Sequence, residues 1–73
     1  MMIVNRIGEV TRQKGMSVKD LADRAKVAYG TAHGLYTGAS KRIDIGILDR
    51  ICAALEVQPG DVLVRVEEGP GVG

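Results

Sequence analysis

This 73-residue chain has a single cysteine, a single histidine and no long apolar run. The single Cys52 excludes an internal disulfide, and no cluster of Cys, His or acidic residues has the spacing of a metal site. One histidine with no convergent polar set leaves nothing to catalyse with, which sets enzymes aside. No stretch approaches the roughly 20 apolar residues of a membrane span, and no basic start leads into a signal-peptide core. A cytoplasmic protein without cofactor or metal is therefore expected. The length suits one domain, near the lower limit for folding around a single core without staples. Stability then has to come from helix packing, completed by dimerisation.

The formal net charge of +1 hides an uneven distribution. Residues 1–55 hold nine Lys or Arg against five acids, whereas residues 56–73 hold Arg65 against Glu56, Asp61, Glu67 and Glu68. A basic body with an acidic end suits a polyanion bound on one side only, although ordinary solvated surface charge has the same look.

The most informative stretch is residues 17–38, SVKDLADRAKVAYGTAHGLYTG. It reads as two short helices joined by a tight turn. Leu21, Ala22 and Ala25 form the apolar face of the first, Val27 plugs the turn, and Ala32 and Leu35 return that face on the second. Small residues at Ala22 and Ala32 let the helices cross closely and steeply, as in a helix-turn-helix. Such a unit lays its second helix in the DNA major groove, but a bundle corner can use the same pattern.

The remaining elements follow from caps and periodicity. Asn5 caps a first helix that turns Ile7 and Val10 inward, and Lys14-Gly15 ends it. Ser17 caps the second helix, with Asp20 at its third position beside the free amides. The third helix spans about residues 28–36 and stops at Gly38. Asp44 caps a fourth helix over residues 45–55, with Ile45, Leu48, Ile51, Cys52 and Leu55 on one stripe. Pro59 opens a short helical turn. VLVRVEE then alternates and is rich in Val, so it predicts a strand, and Met2-Ile3-Val4 is the β-prone segment able to pair with it. Residues 1–68 form the domain, and GPGVG at 69–73 is expected to be a flexible tail.

These five helical elements, in this order, resemble the Cro/CI-type (XRE family) helix-turn-helix regulators in their minimal form. The likeness covers about residues 3–66. It is carried by Ile7, Val10, Lys14-Gly15-Met16-Ser17, Leu21-Ala22, Val27, Leu35 and Gly38, and continues through Ile51, Ala54-Leu55, Val57 and Pro59-Gly60-Asp61-Val62-Leu63. The resemblance implies an all-α, five-helix lambda-repressor-like fold with a small ribbon from the two end segments. It leaves no room for the sensor or enzyme domains of larger relatives.

There are three departures. Lys26 stands where the family usually has a turn glycine, and a left-handed non-glycine residue costs on the order of 1 kcal/mol. Thr11 and Tyr36 stand where many relatives pair an Arg with a Glu; losing both leaves no unpaired buried charge. The positions that touch base edges in the family are Ala28, Tyr29, Gly30, His33 and Gly34 here. The two glycines offer no side chain but allow close backbone approach, whether to DNA or to protein.

By this reading Ser17, Lys19, Lys26, Lys41 and Arg42 contact phosphates, while Tyr29, Thr31 and His33 read base edges. Thr31 can equally bond back to its own helix. The expected partner is double-stranded DNA with a pseudo-palindromic operator, bound by a homodimeric repressor. The expected dimer surface comprises Leu55, Val57, Val62, Leu63, Val64 and Val66. A helix-turn-helix scaffold used for protein binding, such as an antitoxin or anti-repressor subunit, is the alternative.

Overall fold

A computed structural model of the chain describes residues 2–66. The elements run β1 (Met2–Asn5), α1 (Ile7–Gln13), α2 (Val18–Ala25), α3 (Tyr29–Thr37), α4 (Ile45–Leu55), α5 (Pro59–Val62) and β2 (Leu63–Val66). Five helices and a terminal ribbon are the expected architecture. The segment 69–73 expected to be a tail, together with Glu67 and Glu68, lies outside the described residues.

Local chemistry sets most of the boundaries. Gly15 and Gly38 follow α1 and α3 with φ of 72° and 82°, left-handed values that favour glycine. The Asp44 carboxylate accepts from the Ile47 amide at 3.2 Å and starts α4. Asn5 does its work one residue earlier than a cap proper: the N-cap position of α1 falls on Arg6. Asn5 still accepts from the Ile7 amide at 2.8 Å, and its Nδ2 donates to the Leu35 carbonyl at 2.9 Å. It thus ties the end of β1 to α3.

Ile7, Leu21, Ile51, Leu55 and Val62 are wholly buried and join helices α1, α2, α4 and α5 in one core. Two expectations are corrected here. Leu55 and Val62 are core residues with no surface for a second copy to reach. Ile45 does not belong to the buried stripe of α4: it is 76% exposed, because the first turn of that helix runs past the edge of the core.

The space left by the missing Arg–Glu pair is filled by other means. Thr11 is fully buried, and its hydroxyl donates to the Ile7 carbonyl at 2.6 Å, so no buried polar atom is stranded. Tyr36 is half-buried, with the Arg12 guanidinium 5.8 Å from its ring centroid. A Cβ on Gly8 would be driven into the Tyr36 carbonyl oxygen. Helices α1 and α3 therefore meet backbone to backbone, and only glycine fits.

The ribbon pairs Met2 with Val66, Ile3 with Arg65, Val4 with Val64 and Asn5 with Leu63, antiparallel. Alternation puts Met2, Val4, Val64 and Val66 on one face. Leu63, on the other, packs against the core.

Candidate nucleic-acid interface

Helix α2 leads into the site from a strong start. The Asp20 amide donates to Ser17 Oγ and the Ser17 amide donates to Asp20 Oδ2, both at 3.1 Å. The reciprocal pair satisfies two otherwise orphaned amides. Asp20 is held below the usual carboxylate range, first by the Ser17 backbone amide and then by the Ser17 hydroxyl.

The turn that follows fixes the direction of α3. Lys26 adopts the left-handed conformation, φ 57° and ψ 47°, despite its side chain. The Val27 amide donates to the Ala22 carbonyl at 3.1 Å, and Arg50 Nη1 reaches from α4 to the Lys26 carbonyl at 3.4 Å. Ala22, Ala25 and Ala32 are buried where α2 and α3 cross, and small side chains there let the axes come close.

Helix α3 turns Ala32 and Leu35 inward and leaves Tyr29, Gly30, Thr31 and His33 exposed. The Tyr29 and His33 rings stack, centroids 6.0 Å apart and planes 23° from parallel. At four-residue spacing the His33 ring leans back over Tyr29. Thr37 bonds back to the Gly34 carbonyl at 3.4 Å, whereas the exposed Thr31 makes no such bond. Ala28 occupies the N-cap position without a side-chain bond, and no acid lies in the first turn.

The two glycines differ. Nothing lies within 4 Å of a Cβ built on Gly30. A Cβ on Gly34 would press on Ser40 Cβ at 3.3 Å, and the Gly34 carbonyl accepts from both the Gly38 and Ser40 amides at 3.1 Å. Gly34 is therefore spent on closing the α3 terminus.

Lys19, Lys41 and Arg42 are exposed, as Lys26 is. Lys41 and Arg42 line a shallow groove of about 370 Å³ together with Ile3, Val4 and Leu63, so the basic loop lies alongside β1. A second basic cluster was not legible in the sequence: Arg24, Lys26 and Arg50 line a hollow of about 260 Å³ beside the turn. Arg24 was findable two residues before Lys26, but Arg50 arrives only through the packing of α4. The ion pair between Arg6 and Glu9, at 2.5 Å on α1, is far in sequence from these cations, none of which has an ion-pair partner among the described residues.

Against known proteins, residues 6–68 match the family model of the Cro/C1-type HTH DNA-binding domain. The chain belongs to that family. It is 36% identical over 72 residues to the uncharacterized HTH-type transcriptional regulator YozG of Bacillus subtilis (strain 168), covering 97% of this chain and 86% of the relative. Its fold matches a solved SinR protein/SinI protein complex with a TM-score of 0.71 and 27% identity. That match covers 77% of this chain but 54% of the solved chain, so the chain spans about half the length of that relative.

The Cro/C1-type domain is thus a helix-turn-helix DNA-binding unit of transcription regulators, here in five helices. Among the described residues no helix is long and apolar enough to cross a membrane, and no three His, Cys, Asp or Glu side chains gather as metal ligands. Cys52 is buried and its thiol pKa is pushed up by that burial, which makes it a poor nucleophile. Of the expected dimer residues, Val57, Leu63 and Val64 are partly buried and Val66 is exposed. Met2, at 52% exposure, extends the same ribbon face.

Proposed function

We propose that this chain is a sequence-specific repressor that binds a pseudo-palindromic operator as a homodimer and acts by occupying it, with no chemistry of its own. The observation that carries the reading is the outward face of α3. Its first turn and a half presents Tyr29, Gly30, Thr31 and His33 to solvent, on a helix aimed by the locked turn at Lys26. Tyr29, Thr31 and His33 meet base edges; Ser17, Lys19, Lys26, Lys41 and Arg42 hold phosphates and set the register. Ala28 and Gly30 are the small residues that let the helix start come close, and Gly34, one turn on, lies on the same face next to Ser40. The protein acts where its operator lies, in the cytoplasm.

A single domain of this size covers a small DNA footprint, so useful specificity calls for two copies. The ribbon face of Met2, Val4, Val64 and Val66 supports the dimer, with Val57 and Leu63 at its margin. A two-fold pair would set its α3 helices about 34 Å apart, one turn of DNA. A second reading, a helix-turn-helix scaffold that binds protein, draws on Ile45, exposed on α4 beside a groove shared with Val57 and Pro59. The SinR match, a structure of a complex with SinI, fits that reading as well.

The test is selection of a duplex from a random pool, followed by titration across salt. The unaltered protein should enrich a two-fold sequence. The double variant Lys41→Ala/Arg42→Ala should lower the slope of log affinity against log salt by about 2 per protomer. No enrichment and no salt-dependent binding would favour the protein-binding scaffold. Equal affinity for one half-site and for the full palindrome would remove the dimer.

A further inference from the structure

The chain makes the same kind of turn twice. Lys26 after α2 and Glu56 after α4 are the non-glycine residues in the left-handed region among the described residues, with φ of 57° and 59°. A valine follows each, and its amide bonds back five residues: Val27 to the Ala22 carbonyl at 3.1 Å, Val57 to the Cys52 carbonyl at 3.0 Å. Glycine would suit either position better, since a β-carbon is crowded in that conformation. The two turns differ in what holds them from outside. Among the described residues the Glu56 turn closes with backbone bonds alone. The Lys26 turn has a side chain laid across it: Arg50 Nη1 of α4 donates to the Lys26 carbonyl at 3.4 Å, from 24 residues away. Carbonyls at a helix end carry partial negative charge, so a guanidinium is well placed there, and its N–H is a charged donor. Arg24 adds a cation in the last turn of α2. Ala25 and Ala53 line the same hollow, and such small side chains leave Arg50 room to reach over.

We propose that Arg50 is a positioning residue for DNA recognition, which rests on the DNA-binding reading above. It braces the Lys26 turn and so fixes the angle at which α3 is presented, without touching DNA itself. The braced turn is the one that leads into α3, whereas the unbraced turn leads into α5. Helix α3 has no side-chain cap of its own to set its start. A recognition helix that loses its aim loses base contacts first, because these depend on alignment. Phosphate contacts suffer less, since long cationic side chains can follow the backbone. Arg50 therefore bears on specificity rather than on general affinity for the duplex.

The test compares Arg50→Ala and Arg50→Lys with the unaltered full chain, by amide hydrogen exchange and by binding to the selected operator and to random duplex across salt. The exchange measurement needs no DNA. In Arg50→Ala the Val27 amide should exchange roughly tenfold faster, while the Val57 amide at the unbraced turn keeps its rate. Operator affinity should fall roughly tenfold as well, with random-duplex affinity and the salt slope unchanged. Arg50→Lys keeps a cation at the end of α2 and should recover part of both losses. Equal acceleration at Val27 and Val57 would make Arg50 a general support of the fold and overturns the brace. A salt slope lower by about 1 per protomer would mean that Arg50 meets a phosphate itself, which overturns it too. So does an Arg50→Ala variant that binds the operator as tightly as the unaltered protein. If the unaltered protein binds no duplex, the DNA reading fails and the role in recognition with it, whereas exchange at Val27 still decides whether the turn is braced.

Discussion

Helices α2 and α3 are eight and nine residues long, share one turn and bury similar small apolar faces, yet they are built to different rules. Helix α2 carries its own support: a reciprocal Ser17–Asp20 cap, an acid in its first turn, Arg24 in its last and a sharply divided apolar face. Helix α3 has no side-chain cap, no charged residue and two glycines. It is held from outside, by the backbone contact at Gly8, by Asn5 on the Leu35 carbonyl and by the plug of Ala32 and Leu35. The helix proposed to meet DNA is thus the one whose sequence is released from the needs of helix formation. Its neighbours supply the order that its own residues do not.

The comparison breaks most readily at Gly8. Gly8→Ala should cost about 3 kcal/mol, the upper range for overpacking, because the obstacle is backbone rather than a side chain that can swing away. Urea unfolding measures it, and a loss below about 1 kcal/mol would show that α3 docks by other means.

Exchanging the caps sharpens the contrast. Ser17→Ala should lose about 1 kcal/mol from the well-capped helix, whereas Ala28→Ser should add about 0.5 kcal/mol to the uncapped one. Similar effects of both changes in thermal melts would erase the distinction.

The smallest effect is in acid. Asp20 is held below the usual carboxylate range in the folded state, so the unfolded chain takes up its proton first as pH falls. The cap therefore contributes fully above that range and is lost as pH drops through the folded value. Asp20→Asn should flatten the acid limb of stability below about pH 5. An unchanged limb would leave the slope to Glu9, also lowered by its bond to Arg6.

Much of the fold was legible because it is written locally. Asp44 and Leu55 bound α4 as the caps and stripe predict, and Ser17 with Asp20 forms the expected box. Lys26 takes the left-handed turn that the family resemblance implies, and the ribbon pairs as the alternation of Val64 to Val66 implies. What escaped depends on residues distant in sequence. The need for glycine at position 8 appears only once Tyr36 is laid across it. The exposure of Ile45 follows from where the core ends, and the burial of Leu55 and Val62 from the way α5 closes over it. On the candidate surface, the basic residues and exposed positions were readable, but the different duties of Gly30 and Gly34 were not. Ser40, six residues beyond Gly34, decides them.

The ribbon has a consequence for the order in which the molecule assembles. Met2 meets Val66 and the Arg6 amide meets the Val62 carbonyl at 2.7 Å, whereas α2 and α3 are neighbours in the chain. Bringing such remote segments together carries a closure entropy that the hairpin-like helix pair largely avoids. The clasp of the two strands is thus the contact with the largest closure cost in the fold, and Asn5 carries it on to the Leu35 carbonyl of α3.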